Sequence, residues 1–300
     1  MTAQQDAVTQ GAVRRAASLA CWSGPVEPEP ITGGITNTNF LVRDRGERYF
    51  VRIGADIPVH GVLRFNELAA AKAAEAAGLS PAVIYSEPGV IVNRFVEGKT
   101  LAAEDVRMPA MLERILPLVR RCHHEMPRFL RGPVLMFWVF HVIRDYAASL
   151  REGGSRCVPQ LGDLLARAEK LETAVGPIEV VFGHNDLLPA NFIDDGERLW
   201  LVDWDYGGFN SPLFDLGGLA SNNELAPEQE DWLLEAYFER PRDAALTQRY
   251  RAMKCASLLR ESMWSMVSEI HSTLDVDYVA YTAENLARFE RAYADFETRS

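Results

Sequence analysis

Residues 182–205 read FGHNDLLPANFIDDGERLWLVDWD. In this stretch His184, Asn185, Asp186, Asn191, Asp194, Asp195, Asp203 and Asp205 stand between runs apolar enough to be core strands. Carboxylates almost never enter a protein interior unpaired, so this crowding of acids predicts a bound cation. Asn191 follows Asp186 by five residues, and Asp203 follows Asn191 by twelve, at the end of the second apolar run. Phosphoryl transfer from ATP needs such a set. One carboxylate orients the attacking hydroxyl and accepts its proton, while an amide oxygen and a second carboxylate hold Mg²⁺ at the phosphates. On this reading Asp186 is the catalytic base, with Asn191 and Asp203 as metal ligands. Asp205 is open between a second metal contact and an exposed strand end. His184 is read as a scaffold for the loop, because the adjacent Asp186 already serves as base. Asp194, Asp195 and Glu197 read as a solvated hairpin turn.

The run H-N-D-L-L-P-A-N carries the same Asp-to-Asn spacing as the protein-kinase catalytic loop H-R-D-x-x-x-x-N. V-D-W-D then stands where a kinase has D-F-G. Capping of turns alone would not require this spacing.

Composition narrows the partners. The chain has 300 residues, enough for two lobes, with an ordinary apolar share of 48%. Its net charge of −11 disfavours nucleic acid or an anionic membrane as the main partner and tolerates a cationic ligand better than an anionic one. No run of about 18 apolar residues suggests a transmembrane helix, and MTAQQDAVTQGAVRRAASLA lacks the apolar stretch of a secretory signal. Cys21, Cys122, Cys157 and Cys255 are scattered without CxxC spacing, which fits a reducing cytoplasm and argues against a zinc site. A cytoplasmic location is expected, and a homodimer is compatible with the sequence.

Texture along the chain predicts an α+β protein. After a leading helix, CWSGPVEPEP breaks the pattern, and ITGGITNTNFLVRDRGERYFVRIG reads as two strands around an Arg-Gly-Glu turn. Residues 64–77 should form an Ala-rich helix stopped by Gly78. Two more strands follow at 82–86 and 90–98. Beyond Gly98 helices dominate, at 109–124, 134–151, 160–175, 227–239, 244–271 and 278–297. Only about 179–204 reverts to strands, with EVVFGH and RLWLVDW flanking a turn. The boundary is placed at residue 97: residues 1–97 hold the leading helix, an antiparallel sheet, a phosphate loop and one helix, and residues 98–300 the catalytic loop and acceptor pocket.

A kinase also needs groups that cover and reach the phosphates. Gly33 and Gly34, followed by Thr36, Asn37, Thr38 and Asn39, could offer backbone N–H groups and hydroxyl or amide donors. Arg52, between apolar neighbours in YFVRIG, reads as a cation pointing into a cleft. Glu67, near the start of the Ala-rich helix, could pair with it as a helix-borne Glu does in protein kinases, though a solvated Glu fits the spacing equally.

With these residues assembled, the chain resembles the choline/ethanolamine kinase branch of the aminoglycoside-phosphotransferase-like kinases. The resemblance spans about residues 28–297 and rests on GGITNTNF, VNRFVEGKTL, HNDLLPANF, VDWDYGGFNSPLFDLG and SMWSMVSEIHSTLDVDYVAYTAENLARF. It implies a bilobal protein-kinase-like fold with a small β-rich N-lobe carrying one helix and a larger, mainly helical C-lobe. It implies that ATP and Mg²⁺ bind between the lobes and that a small-molecule hydroxyl is phosphorylated. It carries Asp186 over as base, Asn191 and Asp203 as metal ligands, Asp205 as a second acidic residue, and Arg52 as the basic residue at the phosphates. Asp215 becomes structural support for the catalytic loop, beside His184, and the backbone of Asn93, Phe95 and Val96 becomes the adenine contact. Trp264 and Tyr281 match aromatic positions that hold a quaternary ammonium by cation–π contact. A third aromatic position, three residues before Trp264, is Glu261 here. The expected acceptor is therefore a small cationic amino alcohol, choline or ethanolamine. The alternatives are another hydroxyl acceptor, such as an aminoglycoside, thiamine or an amino sugar, and a silent nucleotide-binding kinase fold. Loss of Asp186, Asn191 or Asp203 would mark the silent form, and all are present.

Overall fold

The computed structural model describes residues 3–31, 37–272, 274 and 276–298. Gly33, Gly34 and Thr36 of the expected phosphate loop lie outside these described residues.

The strands expected around the Arg-Gly-Glu turn are β2 (Thr38–Asp44) and β3 (Glu47–Ile53), paired antiparallel. Arg45 and Gly46 both have positive φ, at 51° and 81°, as a two-residue hairpin connection requires. With β1 (Glu29–Ile31), β4 (Val83–Glu87) and β5 (Val90–Arg94) they form a five-stranded sheet in the order β1-β2-β3-β5-β4. Strand alternation then separates two faces. Phe40, Val42, Val51, Ile53, Val90 and Val92 pack under helix α1 (Ala3–Ala17), against Ala12 and Ala16. Asn39, Phe50, Arg52, Ile91 and Asn93 line the cavity on the opposite face. Arg52 thus points into a cleft because both its apolar neighbours take the core side.

The Ala-rich helix is α2 (Arg64–Ala76), and Gly78 behind it takes the left-handed conformation at φ 67°. Ala70, Ala71, Ala73 and Ala74 join the larger core rather than that of the sheet. Their small side chains permit close approach: a Cβ added at Gly207 would stand 3.1 Å from the Ala70 Cβ. Alanine on α2 and glycine at 207 together bring the acidic 203–207 segment against this helix.

Helical texture after residue 98 resolves into α3 (Ala103–Val106), α4 (Pro109–His124), α5 (Val139–Glu152) and α6 (Leu161–Val175). Then follow α7 (Pro212–Asn223), α8 (Pro227–Phe238), α9 (Ala244–His271) and α10 (Tyr278–Thr298). The helix expected from residue 134 starts at Val139, because the backbone at 135–137 bonds to Phe209 instead: Phe137 N–H donates to the Phe209 carbonyl and Phe209 N–H to the Leu135 carbonyl. Helix α7 was not expected at all. It is buried on nearly every side, so it shows no amphipathic period, and Gly217-Gly218 lowers its helix propensity.

The acidic stretch folds as short strands. Strand β8 (Phe192–Asp194) turns into β9 (Leu199–Leu201), with β6 (Lys99–Thr100) on its other side. EVVFGH does not pair with RLWLVDW: β7 (Val181–Gly183) pairs instead with β10 (Gly208–Asn210). Nor are all the turn acids simply solvated. Asp194 accepts two hydrogen bonds from Arg114 on α4, at 2.5 and 2.8 Å, and Asp195 accepts the Glu197 and Arg198 N–H groups.

Helix α9 is the spine of the larger part, flanked by α5, α6, α7 and α10 and buried along most of its 28 residues. At Gly217 a Cβ would lie 2.9 Å from the Lys254 Cα, so α7 can touch α9 only through glycine. Replacing Gly217 by Val should cost about 1–3 kcal/mol of stability. Thermal unfolding should record a Tm lower by several degrees; an unchanged Tm would contradict the contact.

Candidate active site

The catalytic loop leaves β7 at Gly183 and is fixed from below by Asp215, in the first turn of α7. Asp215 accepts the His184 N–H at 2.8 Å and the Asn185 N–H at 2.7 Å, and its Oδ2 lies 2.9 Å from His123 Nε2. Although burial alone would raise it, the His123 contact and the two peptide donors hold the Asp215 carboxyl below the usual range. Asn185 takes a left-handed conformation, φ 64°, which Asn tolerates better than most residues. Its amide donates to the Tyr206 and Gly208 carbonyls at 2.9 and 3.1 Å, tying the loop to the segment after Asp205. His184 is fully buried, stacks near Trp204 at 4.7 Å, and sits with Nε2 3.0 Å from the Val202 carbonyl. Burial lowers its pKa, so it stays a neutral strut between the loop and Asp203.

Asn191 donates its Nδ2–H to the Asp186 carbonyl at 2.8 Å, and its own carbonyl accepts the Val202 N–H. Burial pushes the Asp186 carboxyl up to about 8; the Arg260 cation opposes this shift, while Glu261, Asp203 and Asp205 add to it. A half-buried carboxyl with such a pKa can take a proton near neutral pH.

Arg52 holds the acidic pair. Its guanidinium meets Asp203 with both terminal nitrogens at 2.8 Å, Glu67 at 2.8 Å and Asp205 at 3.2 Å. The spacing of Glu67 left its pairing open, and the structure brings the two together. Arg64, absent from the expected site, bonds Glu67 at 2.6 Å and Asp205 at 2.8 Å. Asp203 would be raised by burial, yet the Arg52 guanidinium keeps its carboxyl below the usual range. Asp205 is pushed up by burial, with Asp203 and Glu67 adding their negative charge. It is 5% exposed, so it is not a free strand end. Asn37 Nδ2 donates to Asp205 at 3.3 Å.

A cavity of about 600 Å³ joins these groups. Its lining includes Asn39, Asn93, Phe95 and Val96, the acids Asp186, Asp203 and Asp205 with Asn191, and Glu261, Trp264 and Tyr281. Glu261 accepts the Tyr281 hydroxyl at 2.7 Å and an Arg260 N–H at 3.1 Å. Trp264 donates its indole N–H to the Tyr206 hydroxyl at 3.0 Å and meets the Tyr281 ring at 6.3 Å, near perpendicular. Arg260 lies over the Tyr206 face at 4.3 Å. Thr38 lies instead along a second cavity, beside Asn37.

Arg64, Arg260, Tyr206 and His123 are the members that sequence reading missed. Arg64 had a usable signal, its i,i+3 spacing to Glu67 on one helix. Arg260 had another: it and Glu261 are the charged pair in ASLLRESMWSMV, a run otherwise made of apolar residues and serine. His123 had none, since its partners Asp215 and Tyr237 come 92 and 114 residues later.

The donor set suits a hard cation: two carboxylates and an amide oxygen, all oxygen ligands. Among the described residues no group of three or more His, Cys, Asp or Glu is placed to hold a metal ion by itself. Mg²⁺ characteristically takes one or two carboxylates and leaves its other positions to water and phosphate.

The sequence profile of the choline/ethanolamine kinase family matches residues 29–233. The protein LicA of Haemophilus influenzae is 27% identical over 257 residues, 82% of this chain and 75% of LicA. A probable ethanolamine kinase A of Dictyostelium discoideum is 25% identical over 303 residues, covering 90% of this chain and 85% of that one. The crystal structure of a choline/ethanolamine kinase family protein from Mesorhizobium loti superposes with a TM-score of 0.78 at 29% identity, covering 97% of each chain. Sequence, fold and the layout of the cleft agree, and the chain belongs to the choline/ethanolamine kinase family of small-molecule kinases.

Proposed function

We propose that the protein moves the γ-phosphate of ATP to the hydroxyl of a small cationic amino alcohol, choline or ethanolamine. The observation that carries this reading is one cavity lined both by Asp186, Asn191 and Asp203 and by Glu261, Trp264 and Tyr281. Adenine would lie along Asn93–Val96. The Phe95 N–H is committed to the Arg48 carbonyl at 3.0 Å, so the base contact falls to neighbouring peptide groups. Asn191 and Asp203 would hold Mg²⁺, with Asp205 as a further acidic contact, and the ion would offset charge on the β- and γ-phosphates. Arg52 is the cation for the phosphates, and Glu67 and Arg64 orient it. Asp186 orients the acceptor hydroxyl for in-line attack and accepts its proton. Asp215 and His184 keep the loop in place. The same reading divides the chain near residue 97 into a nucleotide-covering lobe and an acceptor-binding lobe, and places it in the cytoplasm. Among the described residues no helix is long and apolar enough to cross a membrane.

Glu261 bears on acceptor choice. A primary ammonium can donate N–H groups to its carboxylate; a quaternary ammonium cannot. Ethanolamine should therefore be used at least as well as choline. Glu261→Trp, which restores the aromatic residue that the family places there, should move the ratio of kcat/KM toward choline by about tenfold, the worth of ~1.4 kcal/mol. An unchanged ratio would remove Glu261 from the acceptor subsite.

The base assignment sets a pH dependence. Asp186 must be ionised to accept a proton, and in the empty cleft its pKa is near 8. Below that value kcat/KM for the acceptor should fall by about tenfold per pH unit. Asp186→Asn should abolish this limb along with most of the activity; its survival in the residual activity would assign it to another group.

Arg52→Met would leave Glu67, Asp203 and Asp205 around Arg64 alone. Removing one partner of a buried ionic network costs about 3–5 kcal/mol. Denaturant unfolding should show that loss, and steady-state kinetics should show a raised KM for ATP. Wild-type values for both would contradict the role given to Arg52.

A further inference from the structure

Between β3 and α2 the chain makes a closed turn that the catalytic assignments leave unused. Ile57 and Val62 pair across it, the Gly61 N–H donates to the Pro58 carbonyl at 2.9 Å, and Gly61 takes a left-handed φ of 70°. This fixed loop presents His60, which is 7% exposed, to the helices of the acceptor pocket. Its Nε2 lies 3.1 Å from the Ser268 hydroxyl on α9, and its Nδ1 lies 3.3 Å from the Tyr146 hydroxyl on α5. Its ring lies against the Trp264 indole, with centroids 5.2 Å apart and planes inclined by 33°. Burial, with the Arg260 cation adding to it, lowers its pKa to about 3, so the ring is neutral at any working pH.

Trp264 is thereby held from several directions. Tyr206 takes its indole N–H, Tyr278 and Tyr281 stand edge-on at 6.2 and 6.3 Å, and His60 covers a face. His60 alone among these comes from the segment that builds the phosphate side. It lies eight residues after Arg52 and seven before Glu67. With one ring nitrogen bonded to α9 and the other to α5, His60 cannot turn without breaking a buried hydrogen bond, which costs about 1–3 kcal/mol for the group left unsatisfied.

We propose that His60 is a positioning residue of the acceptor pocket, clamping the Trp264 indole from the chain segment that carries Arg52 and Glu67. The proposal rests on the reading of Trp264 as an acceptor wall. Specificity in such a pocket depends on aromatic faces held in one orientation, and a Trp free to rotate would bind a cation less well. The clamp also makes the acceptor wall sensitive to shifts of the β3–α2 segment, since turn, Arg52 and Glu67 share a short run of backbone.

The test compares His60→Ala and Trp264→Phe, singly and together, with ethanolamine as the probe acceptor. His60→Ala should raise KM for ethanolamine about tenfold, while KM for ATP changes less than about twofold. In the Trp264→Phe background the same replacement should have little further effect, because contacting residues that act as a unit are non-additive. Near-ultraviolet circular dichroism supplies a readout without substrate: the difference spectrum produced by His60→Ala should vanish in the Trp264→Phe background. If His60→Ala does not fold, His60→Phe keeps the ring contact while removing both hydrogen bonds and should give an intermediate rise in KM. Equal rises in KM for ATP and ethanolamine, or an undiminished effect of His60→Ala without Trp264, would overturn the clamp. A Trp264→Phe enzyme with unchanged KM for ethanolamine, but with the difference spectrum abolished, would keep the clamp and retire Trp264 as an acceptor wall.

Discussion

The fold of the cleft depends on the pairing of Arg52 with Glu67, Asp203 and Asp205. One side chain from the sheet meets one from α2 and two from the segment after β9, so a single guanidinium fixes three elements. Three carboxylates, those of Glu67, Asp203 and Asp205, face two guanidiniums, those of Arg52 and Arg64, while Asp186 beside them is met by the Arg260 cation. The cluster is acidic on balance. Such a site is costly to keep empty of cations and favourable to fill with one. A buried ionic network is weak evidence for stability in itself, because desolvation consumes most of the Coulombic gain.

The backbone around this cluster is built for the same end. Asn185 and Asp203 are non-glycine residues with positive φ, at 64° and 68°. Asn and Asp are the residues that tolerate this conformation most readily. Both sit beside acidic groups that line the cavity, Asp186 in one case and Asp205 in the other. Conformations of this kind persist only where the surroundings over-determine them. Asp215 supplies that constraint for the loop by taking two consecutive peptide N–H groups, and the Asn185 amide supplies it again by bonding to two carbonyls of the 206–208 segment.

Much of this was legible in the sequence for physical reasons. Asp186, Asn191 and Asp203 come from a single loop and the strand that follows, so their relation is one of spacing. Strand alternation located Arg52, since its neighbours Val51 and Ile53 claim the core face. Helix bounds at 109–124 and 244–271 followed from apolar period and punctuation. The remainder depended on contacts between distant segments. Helix α7 lacks an amphipathic stripe because it is buried nearly all round. The 135–137 stretch is apolar enough for a helix, yet bonds to Phe209 as an extended segment. His60 acquires meaning only from Ser268 and Trp264, which no local pattern connects to it.

The central claim is that Asp186 drives phosphoryl transfer from ATP to an amino alcohol in this cleft. Phosphorus NMR of the purified protein with ATP, Mg²⁺ and ethanolamine or choline tests it most directly, run beside the Asp186→Ala variant. A phosphomonoester resonance and ADP should form in equal amounts with the native chain. In the variant their formation should be slower by about 10²-fold or more, with ATP still bound. Phosphomonoester formed at the native rate by the variant, or ADP released without any phosphorylated acceptor, would contradict it.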